Sequence, residues 1–243
     1  MTFELDVTFD YLLDLLTIDN LRHRFPHELS GGQKQRLALA RALAPGSSFL
    51  LLDEPFCSLD LNVRIKIRSE LPNILKRCNA SALMVTHDPE EAMAICDKVA
   101  VMNGGYIHQH AKPIELIKNP KTLFVSNFIL GNNILNIKFK NGTIFSSLGK
   151  LKFDNFSKDV ELRYLSISPK SITLLKNDKG RCIVISKEFL DQFFVYKISI
   201  ENEKLRVRTK TNVNLNVGDR CNIKLIKKSE YFLYPGGYKN FIV

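Results

Sequence analysis

A chain of 243 residues with 45% hydrophobic and 25% charged content is long enough for one large domain or two modest ones, with the composition of an ordinary globular protein. No apolar run approaches the roughly eighteen residues that a membrane-crossing helix needs, and Met1-Thr2-Phe3-Glu4-Leu5-Asp6 is acidic where a signal peptide would be basic, so neither is expected. The five cysteines, Cys57, Cys78, Cys96, Cys182 and Cys221, are an odd set without metal-ligand spacing and read as reduced thiols in a cytosol. The net charge of +10 is uneven: residues 1–130 hold 14 Lys+Arg against 15 Asp+Glu, and residues 131–243 hold 21 against 10. A basic half can serve nucleic acid or an anionic membrane surface. Here the lysines are scattered among strand-like segments, without a basic helix or a basic-aromatic motif. A solvated β surface and no nucleic-acid partner are therefore expected.

In chain order, Leu12, Leu13, Leu15, Leu16 and Ile18 predict a short amphipathic helix, and Lys34–Ala44 a strong helix stopped by Pro45-Gly46. Phe49–Leu52 reads as a buried strand. Leu61 to about Cys78 reads as helical in spite of Pro72, and Ala82–Thr86 as a second buried strand. Asp88-Pro89-Glu90-Glu91 predicts a capping box opening a helix to about Ile95. Val99–Met102 is a third strand, turned by Gly104-Gly105 into Tyr106–His110. After Asn132 the texture changes to short β-rich stretches, such as Ile134–Phe139, Cys182–Ser186, Phe193–Ile200 and Cys221–Ile226. Asn-Gly, Asn-Asp-Lys-Gly and Val-Gly-Asp turns divide them, predicting an all-β barrel or sandwich.

Three short segments carry chemistry. Ser30, Gly31 and Gly32 precede a helix, whose free N–H groups and positive dipole end suit a phosphate. Asp53 and Glu54 end a strand, at the position that lines the ligand crevice of an open α/β sheet. His87 also follows a strand, 34 residues beyond Asp53. No G-x-x-x-x-G-K-[ST] phosphate loop occurs in the 243 residues.

Leu29-Ser30-Gly31-Gly32-Gln33, Phe49-Leu50-Leu51-Leu52-Asp53-Glu54-Pro55, Ser58-Leu59-Asp60 and Thr86-His87-Asp88 together resemble the signature motif, Walker B motif, D-loop and switch histidine of an ABC-type ATPase. The resemblance implies ATP and Mg²⁺ as cofactors. It gives Asp53 to Mg²⁺ through water, Glu54 to activation of the attacking water, His87 to the γ-phosphate, and Asp60 to coupling of two sites across a dimer. Ser30, Gly31, Gly32 and Gln33 would meet ATP held by another subunit. The implied fold is α/β: a partial P-loop NTPase (RecA-like) parallel sheet with a helical segment over residues 1–130, followed by an all-β, OB-like TOBE barrel over 131–243.

Val99–Met102, Gly105, Pro113, Glu115-Leu116, Pro120, Phe124-Val125 and Asn132-Asn133 look like the end of the ATPase domain in binding-protein-dependent importers. Ile167–Ile172 and Val217–Cys221 look like two TOBE segments, with Ser168, Lys170 and Cys221 departing from the usual residues. By that resemblance roughly a hundred N-terminal residues, including the phosphate loop, are missing. The implied partners are a second ATPase subunit, an integral-membrane permease and, indirectly, a periplasmic or extracellular solute-binding protein. The implied place is peripheral, on the cytoplasmic face of the membrane. Asp53-Glu54-Pro55-Phe56 and Leu37–Pro45 look closest to ferric-iron or sulfate subunits, so ferric iron is the expected solute, with sulfate, polyamine or sugar as alternatives. A truncated, non-catalytic partner that contributes only its signature in trans stays open. A chromosome-maintenance or translation-factor ABC protein would lack the β-rich tail.

Overall fold

The computed structural model describes residues 9–45, 47–77, 79–140, 143–152, 161–190, 192–210 and 213–241. The expected Asn141-Gly142 turn and Cys78 lie outside them. Internal contacts divide the chain between Val99 and Ala100.

In the first unit, α1 (Phe9–Leu15), α2 (Gly31–Leu43), β1 (Phe49–Asp53), α3 (Leu61–Arg77), β2 (Ser81–Val85) and α4 (Pro89–Ile95) follow one another. Leu12, Leu13 and Leu15 of α1 share a core with Leu39, Ala40 and Leu43 of α2. Val63, Ile67, Leu71 and Ile74 form one buried stripe along α3. That stripe explains why α3 runs unbroken through Pro72. An interior proline costs about 3 kcal/mol, whereas each fully buried aliphatic side chain contributes about 1.5–3 kcal/mol. Four such side chains outweigh one lost backbone bond.

The crossover through α3 makes β1 and β2 parallel, in register from Phe49 opposite Ser81 to Asp53 opposite Val85. The expectation of two fully buried strands needs correction. Only one face is covered, by Leu50 and Leu52 of β1 beside the half-buried Met84 of β2. Phe49, Leu51, Leu83 and Val85 on the other face are each more than half exposed.

In the second unit, β3 (Val99–Asn103, starting at the boundary) and β4 (Tyr106–Ala111) form a hairpin. Its turn needs positive φ at two successive residues, 56° at Gly104 and 80° at Gly105, which glycine supplies without strain. Two helices without a sequence expectation follow, α5 (Pro113–Lys118) and α6 (Leu123–Leu130). Because both pack on β4 and α6 also packs on later strands, the contact boundary falls well before the textural break near residue 131.

Beyond α6, all remaining strands are antiparallel. β5 (Asn133–Asn136), β9 (Tyr164–Ile167), β15 (Glu230–Tyr234) and β16 (Tyr238–Phe241) form a sheet in the order β16-β15-β9-β5. β10 (Ile172–Lys176), β11 (Cys182–Leu190), β12 (Phe193–Ile200), β13 (Glu203–Thr209) and β14 (Arg220–Leu225) form another, in the order β10-β14-β11-β12-β13. β6 (Lys138–Lys140), β7 (Thr143–Ser146) and β8 (Gly149–Lys152) form a three-stranded meander. One buried cluster joins them, including Leu135, Ile144, Leu165, Leu174, Tyr196, Val207 and Tyr231.

Among the described residues these are open sheets rather than the expected closed barrel. Where β5 and β13 meet, a side chain substitutes for a ladder. The Asn133 amide donates to Arg206 O (2.8 Å) and accepts from Arg206 N (2.8 Å), stitching the two sheet edges without a strand pair. α6 is tied to β9 by a buried polar knot. The Ser126 and Ser166 hydroxyls lie 2.6 Å apart, and Asn132 Nδ2 donates to Ser166 Oγ at 3.1 Å.

The knot generates a stability prediction. Ser166→Ala leaves Ser126 and Asn132 short of a buried partner, which costs about 1–3 kcal/mol. Urea unfolding followed in the β-rich unit should show a lower midpoint at unchanged slope. An unchanged midpoint would mean that the knot does not hold α6 in place.

Candidate functional site

The parallel pairing of β1 and β2 brings distant residues together. Both strands end at the same edge, and Glu54 N donates to Val85 O (2.9 Å), carrying the register one residue past β1. Glu54 is left beside the segment that leaves β2, where His87 lies. His87 N donates to Glu54 Oε1 (3.0 Å) and His87 Nδ1 contacts Glu54 Oε2 (2.8 Å). A carboxylate only accepts, so Nδ1 carries the proton and Nε2 is left for another partner. The His87 side chain is 78% exposed and that of Glu54 33%. The hydrogen bond to Glu54 and then its negative charge raise the His87 pKa above the ordinary histidine value. Glu54 holds φ at 46°, in the left-handed region that few non-glycine residues occupy. Such strain persists only where surrounding bonds fix it.

Those bonds come from α2. Gln35 Nε2 donates to Glu54 O (2.8 Å), and Ser58 N donates to Gln35 Oε1 (2.9 Å), so one amide grips both ends of the turn after β1. α2 starts earlier than expected. Ser30 is its N-cap, and Gly31 and Gly32 are its first two residues rather than part of a preceding loop. The cap is reciprocal: Ser30 Oγ accepts from Gln33 N (3.3 Å), and Gln33 Oε1 accepts from Ser30 N (2.9 Å). Gln33 is therefore engaged with its own helix end.

The two glycines differ. A Cβ on Gly31 would meet nothing within 4 Å, so this glycine is not required by packing. A Cβ on Gly32 would fall 2.7 Å from Ser58 O, so this glycine serves packing against the turn after β1. First-turn N–H groups have no intrahelical partner, which leaves those of Gly31 and Gly32 for an anion.

Asp60 Oδ1 accepts from Val63 N (3.1 Å) and caps α3. Asp53 is exposed at the end of β1. No cluster of three metal-ligating residues occurs among the described residues. A single carboxylate still fits Mg²⁺, which keeps several waters and takes phosphate oxygens. The expected capping box at α4 takes another form. Asp88 Oδ1 accepts from Glu90 N (2.8 Å), while Thr86 Oγ1 donates to Glu91 (2.7 Å) and accepts from Asp88 N (3.1 Å). Thr86 thus relays between the buried Glu91 and the backbone beside His87.

Residues 4–57 match the ABC transporter family profile. The chain is 36% identical over 216 residues to a spermidine/putrescine import ATP-binding protein of Borrelia garinii, covering 88% of this chain and 62% of the relative. It is 35% identical over 219 residues to an Fe(3+) ions import ATP-binding protein of Fusobacterium nucleatum, covering 87% and 59%. It is 45% identical over 131 residues to a sulfate/thiosulfate import ATP-binding protein of Chromobacterium violaceum, covering 54% and 36%. The chain is similar to import ATP-binding proteins of the ABC transporter family. It spans about three-fifths of the length of the first two relatives.

Ser30, Gly31, Gly32 and Gln33 gather at one helix end, which Gln35 ties to the turn carrying Glu54. Sequence reasoning missed Gln35 and the packing role of Gly32. Gln35 lies two residues beyond Gln33 in a polar run, and no spacing rule marks it as a clamp.

Two predictions follow from this geometry. Gly32→Ala forces the turn at Ser58 to shift and is expected to cost about 1–3 kcal/mol, as overpacking does, whereas Gly31→Ala is expected to be nearly neutral. Thermal unfolding of the two variants distinguishes them, and equal losses would contradict the close approach. The second concerns His87. Its raised pKa means that the Glu54 bond stabilises the fold below the ordinary histidine range and is lost as pH rises through the raised value. Exposure keeps that contribution small. In NMR titration the His87 imidazole should titrate at higher pH in the parent than in Glu54→Gln, and equal midpoints would remove Glu54 as the cause.

Proposed function

We propose that this chain is part of the ATP-binding subunit of an ABC importer, coupling ATP hydrolysis to uptake of a small solute. The observation that carries the reading is the Gln35 clamp, which fixes the capped, open N-terminus of α2 beside the strand edge holding Asp53, Glu54 and His87. ATP, when bound, supplies the phosphoryl group that is transferred to water. The Gly31 and Gly32 amides and the Ser30 hydroxyl are suited to the phosphate oxygens of an ATP held by a second subunit. Asp53 is placed to hold Mg²⁺ through water. Glu54 keeps free lone pairs for a proton from water while His87 orients its carboxylate, and in the protonated imidazole, which the raised pKa favours, the exposed His87 donates its Nε2–H to an anion.

The β-rich unit is read as a TOBE-like accessory domain. The three relatives are named for different solutes, which supports iron, polyamine and sulfate alike and does not favour the ferric-iron expectation. Such a subunit sits on the cytoplasmic face of the membrane, where it requires a permease and a second ATPase subunit, and it serves a periplasmic or extracellular solute-binding protein only indirectly. Among the described residues no helix is long and apolar enough to cross a membrane.

A second reading, a subunit that contributes only its signature in trans, is favoured by one observation. The whole Leu29–Gln33 segment stands at a capped helix N-terminus, the part of the site that acts on ATP held by another subunit. Both readings are tested by mixing the chain with a complete import ATP-binding subunit and measuring ATPase activity. Ser30→Arg, which adds charge and bulk at the helix end, is expected to abolish any gain, and an unchanged gain would overturn the signature assignment. Loss of the gain in Glu54→Gln would favour hydrolysis at this chain's own carboxylate; retention would favour the signature-only reading.

A further inference from the structure

Within the five-stranded sheet the β11–β14 junction has the fewest paired residues, and Val184 continues it by donating to Asp219 O (3.0 Å) and accepting from Gly218 N (2.9 Å). Five residue pairs join β10 to β14 and seven join β12 to β13, but only two join β11 to β14. One of those two pairs is Cys182 opposite Cys221. Both are fully buried in the cluster shared by the β sheets, so both side chains point to the same face. We propose that Cys182 and Cys221 are a redox-active cross-strand pair, which closes into a disulfide over the β11–β14 seam when the chain meets hydrogen peroxide.

The backbone already has the required spacing. Directly opposed residues of an antiparallel ladder have Cα atoms about 4.5 or 5.5 Å apart, and disulfides span about 4.4–6.8 Å. The Cβ atoms of opposed residues lie about 4.5–5.5 Å apart and a disulfide holds them at about 3.5–4.5 Å, so closure takes a small local movement of the two strands. Gly180 holds the approach close, since a Cβ there would lie 2.3 Å from the Cys221 backbone. The two thiols are also unequal. The neighbouring Cys221 thiol pulls the Cys182 pKa below the ordinary thiol value, while Cys182 and burial push that of Cys221 above it. That asymmetry favours Cys182 as the attacking sulfur, and the same disulfide results whichever sulfur attacks first.

The chemistry balances. The Cys182 thiolate attacks one peroxide oxygen, the O–O bond breaks, and with one proton the products are a sulfenic acid and water. The Cys221 sulfur then displaces the sulfenic hydroxyl. The S–S bond forms, the Cys221 proton leaves with the hydroxyl as a second water, and two electrons have passed from the thiols to the peroxide. Because both sulfurs are buried, oxidation waits on opening of the two-pair seam. It should be slower than modification of the exposed Cys57. The closed bond spans a loop containing β12 and β13 and pins the least-laddered junction of the sheet.

The test treats the whole 243-residue chain with hydrogen peroxide, removes the peroxide with catalase, and alkylates in denaturant with iodoacetamide. A non-reducing peptide map should show Cys182 joined to Cys221 within one chain. Unfolding of the β-rich unit should shift upward by on the order of 10 °C and return with dithiothreitol. Cys221→Val should abolish both the linked peptide and the shift. Cys182 and Cys221 both recovered alkylated, a linkage between two chains, or an unchanged melting temperature beside the linked peptide would each overturn the proposal. Should Cys221→Val fail to fold, the peptide map and dithiothreitol reversal of the unsubstituted chain decide alone.

Discussion

A single side-chain amide, that of Gln35, holds the first unit's chemistry in one place. Its Nε2 grips the Glu54 carbonyl and its Oε1 takes the Ser58 N–H, so α2 cannot slide along the turn after β1. Each bond alone contributes only about 0.5–1.5 kcal/mol. Their joint effect is geometric: they fix a turn in which Glu54 sits at positive φ, and they fix how near the α2 N-terminus comes to it. Gly32 completes the constraint, because only a residue without Cβ lets the helix end reach Ser58. The segments Leu29–Gln33 and Phe49–Pro55 thereby behave as one piece.

The Glu54–His87 contact shows how a small topological fact produces a chemical one. Parallel strands joined by one crossover helix must end at the same edge. Residues 33 apart in sequence become partners through no local rule. The pairing also divides the labour of the imidazole. One nitrogen is committed to the carboxylate and the other is kept outward, with the proton on Nδ1 fixed by the acceptor-only Glu54.

Some of this could be read from residue order. The strand ends at Asp53 and Val85 and the helix over Leu61–Arg77 follow from local patterns and appear with boundaries near those expected. The errors have physical causes. A run of four apolar residues in β1 looks buried on both faces, because hydropathy does not reveal which neighbours are present to cover a strand. The pattern 88–91 suggests a capping box, but the Thr86 hydroxyl offers Glu91 a competing partner. The barrel expectation counted strands correctly as β, yet closure depends on edge pairing. At β5 and β13 that pairing passes to the Asn133 side chain. Gln35 was invisible because an amide in a helix carries no periodicity signal for the loop it will hold.

The uncovered face of the β1–β2 pair has a consequence for handling the protein. Phe49, Leu51, Leu83 and Val85 form a contiguous apolar row open to water, and residues 1–130 carry a nearly balanced charge. Colloidal repulsion is weakest where net charge is near zero, and a bare sheet face is then free to find another like it. The β-rich residues, with an excess of eleven positive charges over 131–243, are protected from that fate. Concentration-dependent clumping of a purified sample would begin at the ATPase-like part and leave the β sheets folded within the aggregate.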